Sequence, residues 1–339
     1  MVKKGETICK SNGNREEYEY FPSIDESVIT FQSITNEWLL SIQPRIKEST
    51  NIKYHNLLAT YILPTLGKSN ISNLTTACIE AYCNELLLNG GKNNEGLSPK
   101  TVSDILSMLR NILRFSENKG ITSHCNVTSI IVKQQPKEMR VFSTLEQKRL
   151  CDYIHKNPTL QNLGILLCLF TGLRVGEICA LQWSDISIEE KTIHVHQTMQ
   201  RIQTSNDSNT KTKVIITTPK SACSRRIIPL PENISLLISK LVQSPECYFL
   251  TGKSSCFIEP RSLQYHFKKT LEECSLEHAN FHALRHTFAT RCVEVGFDVK
   301  TLSEILGHAS VNITMNRYVH PSMELKRKNM NLLCTLMPT

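Results

Sequence analysis

The chain has 339 residues, enough for two domains of ordinary size that each bury a core. Its 39 Lys and Arg against 31 Asp and Glu leave a formal charge of +8, a modest surplus that favours an anionic partner without requiring one. The longest apolar run, Leu163 to Phe170, is far too short to span a bilayer, and the first lysines have no apolar run behind them, which argues against a membrane span and a secretory signal.

Residues 1–30 are mostly polar, with no sustained apolar period, and are expected as a flexible arm. From Phe31 to Gly120 the apolar spacing becomes helical, with Trp38, Leu39 and Ile42, then Tyr54, Leu57, Leu58, Tyr61 and Ile62, until Pro64 and Gly67 break it. The clearest helix follows Ser98, a good N-cap, with Pro99 at the first helical position. Val102, Ile105, Leu106, Leu109, Ile112 and Leu113 form one apolar stripe before Gly120. The opposite faces carry Lys53, Lys100, Arg110, Arg114 and Lys119, which either meet a phosphate backbone or form an ordinary solvated face.

Residues 121–141 are a mixed polar stretch with Pro136, taken as the linker, and Ser143 with Glu146 forms a capping-box signal for the next helix. Beyond it the chain is helical, then shows short alternating segments at Thr192 to Thr198, Val214 to Thr217 and Arg226 to Leu230, then helices again from near Arg261. The expected fold is therefore mainly α with a small antiparallel β-sheet. Thr204 to Lys213 is a polar loop. The 13 cysteines, scattered from Cys9 to Cys334 without a C-x-x-C pair or zinc-like spacing, are expected as reduced thiols of a cytoplasmic protein.

The chemistry-bearing residues concentrate late in the chain. On a helix starting near Phe281, His282 and Arg285 stand on one side, with Leu284, Phe288, Cys292 and Val295 marking the core side. His282 and His286 share the i,i+4 spacing of a zinc helix, but the glutamate of H-E-x-x-H is absent and Arg285 would repel a cation, so no metal is expected. The next helix, with Val299, Leu302, Ile305 and Leu306 as its buried stripe, stops at Gly307 and leaves His308 on the turn. Tyr318 follows on a further helical segment. Alone it is a packing residue as readily as a nucleophile, and Val299 to Tyr318 equally fits a DNA-reading helix-turn-helix. Earlier, Arg174 and Glu177 stand three apart at a helix start, a pairing expected of any partly buried arginine. The segment TPKSACSRRIIPL is expected as a strand pair whose turn carries Lys220, with Arg226 on the return strand.

Taken together, in order and spacing, these motifs resemble the catalytic domain of the tyrosine recombinases, the family of phage and transposon integrases. The resemblance covers roughly residues 142–320. A weaker match through residues 31–120 is similar to the helical core-binding domain that clamps DNA in that family, and residues 321–339 form a tail that either docks on an adjacent subunit, as is common in that family, or folds back on its own domain. It implies catalytic roles for Arg174, Lys220, His282, Arg285, His308 and Tyr318, with Glu177, Arg226 and His286 in support. Arg226 rather than Arg225 is matched by its distance from Lys220. The implied reaction is metal-free and cofactor-free. Tyr318 attacks a phosphodiester with His282 accepting its proton, Arg174, Arg285 and His308 hold the developing charge, and Lys220 protonates the leaving 5′ oxygen. The product is a 3′-phosphotyrosyl bond that needs no ATP to religate. The resemblance further implies double-stranded recombination sites as partner, a homo-tetramer on DNA, and excisionase or DNA-bending accessory proteins. Insertion or excision of a mobile element is the leading expectation. A resolvase or invertase, a type IB topoisomerase and a DNA-binding regulator without catalysis are the alternatives.

Overall fold

The structure is a computed structural model that describes residues 29–91, 93, 95–134, 139–204, 211–219, 222–319, 327, 330 and 331. Lys220, nearly all of the expected arm, most of the C-terminal tail and the middle of the Thr204 to Lys213 loop lie outside the described residues. The chain divides into two compact units, Met1–Pro136 and Lys137–Thr339.

The first unit is helical. It contains α1 (Phe31–Ile42), α2 (Glu48–Leu57) running through a π turn at Leu58–Ile62 into α3 (Leu63–Leu66), α4 (Thr76–Asn89) and α5 (Pro99–Asn118). Ser98 caps α5 by accepting from the Thr101 N–H, and Pro99 occupies the first turn, where no N–H is required. Val102, Ile105, Leu109 and Ile112 are fully buried along one side of α5, each contributing on the order of 2 kcal/mol, against Phe31, Ile34 and Trp38 of α1. Residues 121–132, expected as linker, instead add Cys125, Val127 and Ile130 to this core. Arg110 holds them there, donating from Nε to the Val127 carbonyl at 3.1 Å and from Nη2 to that of Ile130 at 2.8 Å.

The second unit wraps around α7 (Leu160–Thr171), whose run from Leu163 to Leu169 is apolar and buried throughout. Helices α6 (Thr144–Lys156), α8 (Val175–Ala180), α10 (Pro260–Glu273) and α11 (His282–Glu294) pack against it, and α9 (Glu232–Ser239) precedes α10. Ser143 and Glu146 form the expected capping box on α6. Two small antiparallel sheets stand beside these helices. One orders β1 (Ile186–Ser187), β2 (Thr192–Val195) and β5 (Arg226–Pro229); the other is the hairpin of β3 (Thr198–Gln203) and β4 (Thr212–Thr217). The expected strand pair around Lys220 is therefore corrected, since its flanking strands join different sheets. β4 pairs with β3 from Thr217 opposite Thr198, whereas β5 pairs with β2 from Arg226 opposite Val195. The reason lies in Arg226, whose side chain is anchored to α8 and to α12 (Val299–Leu306) and draws β5 towards them. α13 (Val311–Tyr318) closes this end of the unit. Val295, assigned to the core side of α11, is 74% exposed because α11 ends at Glu294 and Gly296 turns the chain with φ +88°. No helix among the described residues is long and apolar enough to cross a membrane.

Candidate active site

Two helix ends build the site. α7 stops at Gly172 and α12 at Gly307, both left-handed (φ +66° and +65°), and each helix ends in carbonyls that need donors. Arg285, only 2% exposed, supplies them. It donates from Nη1 to the Gly172 carbonyl and from Nη2 to the Leu306 carbonyl, both at 2.7 Å. A guanidinium thus lies at the negative ends of two helix dipoles, which explains how a cation tolerates such burial. Burial, then the neighbouring Arg174, pushes its acid down to about 9, which leaves it charged at neutral pH. Arg174, at the N-cap of α8, donates from Nη2 to the Gly307 carbonyl at 3.3 Å and from Nη1 to Glu177 at 2.7 Å.

Glu177 is the hub of the cluster. Its carboxylate, 3% exposed, accepts two bonds from Arg226 (3.1 and 2.9 Å) and one from the Arg174 backbone N–H at 2.9 Å. Burial alone would raise its acid, but Arg226 and Arg174 outweigh it and hold the carboxyl down at about 2. Arg226 also donates from Nε to the Ile305 carbonyl at 2.5 Å, which ties β5 to α12, while Arg225 is exposed. Of the doubled arginines, Arg226 is the one bonded to Glu177. Arg174 and Arg226 pair with the one carboxylate and the guanidinium of Arg285 stands nearby, so positive charge outnumbers negative in the cluster.

The histidines sit against this surplus. His308 Nε2 is 3.0 Å from Arg285 Nη2, and its Nδ1 is 2.8 Å from the Thr314 hydroxyl. A guanidinium only donates, so Nε2 is the acceptor and Nδ1 carries the proton. Burial, then Arg285 and Arg174, lowers the His308 acid to about 4. His282, at the exposed start of α11, is lowered to about 4 by the protein around it, then by His286, Arg285, Arg174 and Arg317.

Tyr318 is 6% exposed, its ring packed with Ala289, Cys292, Leu302 and Leu306 and parallel to His308 at 6.4 Å. Its hydroxyl is 2.9 Å from Nδ1 of His286, not of His282. Burial raises the phenol, while Arg285 and Arg317 beside it pull the other way. The sequence reading missed Thr314, although it lies one turn before Tyr318 on the same face of α13 and is fully buried. It also missed Arg317. The structure thus brings together Arg174, Glu177, Arg226, Arg285, His286, His308 and Tyr318, with His282 adjoining His286 edge to face at 4.6 Å. A pocket of fixed donors and surplus positive charge beside a buried phenol can hold an anion such as a phosphodiester and stabilise charge developing on it.

The pattern of the phage integrase family matches residues 140–324, which span every one of these residues, and the phage integrase N-terminal SAM-like domain matches residues 30–87. The chain belongs to the phage integrase family. It is a tyrosine recombinase, an enzyme of DNA strand transesterification. Among its relatives, a tyrosine recombinase XerC-like protein of Caldanaerobacter subterraneus subsp. tengcongensis is 27% identical, covering 93% of this chain and 86% of the relative. The ICEBs1 integrase of Bacillus subtilis is 24% identical, covering 90% and 83%. The recombinase shares its fold with the Tn1549 transposon integrase in complex with transposon right-end DNA (TM-score 0.74, 19% identity, 90% of this chain and 100% of that one). It also resembles a lambda integrase tetramer bound to a Holliday junction (TM-score 0.59, 19% identity, 89% and 82%).

In the first unit, the residues expected to meet DNA separate. Lys53 and Lys100 are exposed and share Asp104 (2.8 and 2.9 Å), and Arg114 is exposed. Arg110 instead spends its guanidinium on backbone carbonyls and acts as a structural clamp.

Proposed function

We propose that this recombinase inserts and excises a mobile element by cutting and rejoining double-stranded DNA through a 3′-phosphotyrosyl link. The observation that carries this reading is the cationic cluster of Arg174, Arg226 and Arg285 around the single carboxylate of Glu177, beside the Tyr318 hydroxyl. Tyr318 is the nucleophile. Arg174, with two of its five N–H groups committed, and Arg285, with three, have donors left to grip the non-bridging oxygens of the scissile phosphate. As phosphorus becomes five-coordinate, charge grows on those oxygens and these fixed donors stabilise it in place of metal ions. The phosphate draws Arg285 away from His308, whose Nε2 then gains a proton and donates as well. Glu177 and Arg226 set the arginines' positions. Lys220 is the acid for the departing 5′ oxygen. Lys53, Lys100 and Arg114 contact phosphates of the flanking duplex. A tetramer on two DNA sites supplies the four cuts of a complete exchange, with residues 321–339 passing to a neighbouring subunit.

The relatives named as an ICEBs1 integrase and a Tn1549 integrase favour the mobile-element assignment, while those named XerC favour a second reading, resolution of joined chromosomes. The test uses nicked suicide duplexes from the ends of the element that carries the gene, without magnesium, against wild type and Tyr318→Phe. A denaturation-resistant adduct formed only by the wild type supports recombination. Adduct on the element's ends but not on a chromosomal resolution site separates the two readings, and DNA binding without any adduct refutes both.

A further inference from the structure

The Tyr318 hydroxyl has three polar neighbours among the described groups: Arg285, Arg317 and Nδ1 of His286. The imidazole nitrogen lies 2.9 Å from the phenol oxygen, so with the proton of neutral His286 on Nε2 the hydroxyl donates its own proton to Nδ1. Arg285 and His286 are consecutive on α11, so their side chains leave the helix in different directions. Arg285 reaches the helix ends where the phosphate is read to bind, and His286 reaches the nucleophile. His282, one turn earlier and exposed, has its ring edge-on to His286, and it is His286 whose ring nitrogen meets the phenol.

We propose that His286, rather than His282, takes the proton from Tyr318 during cleavage and returns it during religation. This rests on the recombinase reading above. As the bond between Oη and phosphorus forms and the bond from phosphorus to the 5′ oxygen breaks, the Oη proton passes to Nδ1 and converts neutral His286 to imidazolium. The 5′ oxygen receives a separate proton from Lys220. In the reverse step the 5′ hydroxyl attacks, the phosphotyrosyl bond breaks, and Nδ1 gives its proton back to Oη. The surroundings suit the task only when substrate is present. Burial, then Arg317 and Arg285, lowers the His286 acid to about 4 in the free protein, which keeps it neutral and accepting. A scissile phosphate placed among the same arginines offsets their charge and raises the basicity of His286 where proton transfer is required.

The test is single-turnover cleavage of the suicide duplexes by the full chain carrying His286→Asn. The asparagine amide lies near the former Nδ1 and can accept the phenol's hydrogen bond, but it cannot take its proton. Loss of about 10²-fold or more in cleavage rate with DNA binding retained is expected. A fluorinated tyrosine at position 318, whose phenol ionises more readily, should then restore most of that rate. A merely positional role predicts cleavage within about threefold of wild type, since general-base help is typically worth at least about 10²-fold; that result, or no rescue by the fluorinated tyrosine, overturns the proposal. A second measurement needs no variant: nitrogen-15 spectra of His286 in the trapped wild-type adduct should show imidazolium at neutral pH, and a neutral ring there overturns it as well. Absence of any Tyr318-dependent adduct from wild type sinks the recombinase reading, and this inference with it.

Discussion

Replacing Glu177 with Gln removes the one negative charge among three guanidiniums while keeping the side chain's shape. Arg226 and Glu177 are 6% and 3% exposed and joined by two hydrogen bonds, so water screens little of their interaction. Leaving one partner of a buried pair unmatched costs about 3–5 kcal/mol. Arg174, 34% exposed, adds only a screened share. The chain has two tryptophans, Trp38 in the first unit and Trp183 in the second, both 5% exposed. In a Trp38→Phe background, urea unfolding followed by fluorescence therefore reports the catalytic unit alone. The expected loss is about 3–5 kcal/mol, against roughly 0.2–1 kcal/mol for Asp104→Asn, whose lysine partners are exposed. The double variant Glu177→Met with Arg226→Met should regain most of the stability, because a well-packed apolar pair can replace a buried ion pair. It should not regain cleavage, because Arg174 still lacks its carboxylate. A Glu177→Gln loss under about 1 kcal/mol would refute the picture of one carboxylate holding the arginines in place.

Proton uptake should accompany DNA binding. His282, His286 and His308 are held at about 4 in the free protein, and a phosphate beside them raises all three, so at pH 6 the complex binds more protons than its parts and tightens as pH falls. Calorimetry in two buffers of different ionisation enthalpy measures this directly, and equal heats would contradict it. For the free protein the sign runs the other way. His286 has a lowered acid in the fold, so the unfolded chain gains its proton first, and up to about 3 kcal/mol of stability should be lost as pH falls from about 6.5 to about 4; a urea midpoint insensitive to His286→Phe across that window would count against it. In the first unit, Arg110→Ala should cost about 1.5–3 kcal/mol by unpairing two carbonyls, read by Trp38 fluorescence. Lys53→Ala and Lys100→Ala should leave stability nearly unchanged while each lowers the salt slope of DNA binding by about 1. Gly307→Ala should impair cleavage, since a Cβ at φ +65° meets the Cys223 carbonyl at 3.0 Å and the Arg226 side chain at 3.1 Å.

Periodicity made the helices legible because the α5 stripe from Val102 to Leu113 and its Ser98–Pro99 cap are local properties of the chain. The membership of β4 and β5 in different sheets was not legible, because it is decided by where the Arg226 side chain finds carbonyls on α12, a contact 79 residues away. The two carbonyl contacts of Arg110 were not legible for the same reason. A basic residue on a polar face looks alike whether it faces solvent or clamps Val127 and Ile130. At the site, residue types and order marked out Arg174, Arg285, His308 and Tyr318, but not which imidazole meets the phenol. Helix geometry then decides between candidates four residues apart. His282 and His286 lie on one face of α11 a turn apart, and α13 crosses that face with Thr314 and Tyr318 also a turn apart. Thr314 meets His308 on the turn after α12, and that registers Tyr318 opposite His286. The contacts that place Tyr318 opposite His286 thus include a buried threonine hydroxyl, on a residue with no chemical signature of its own.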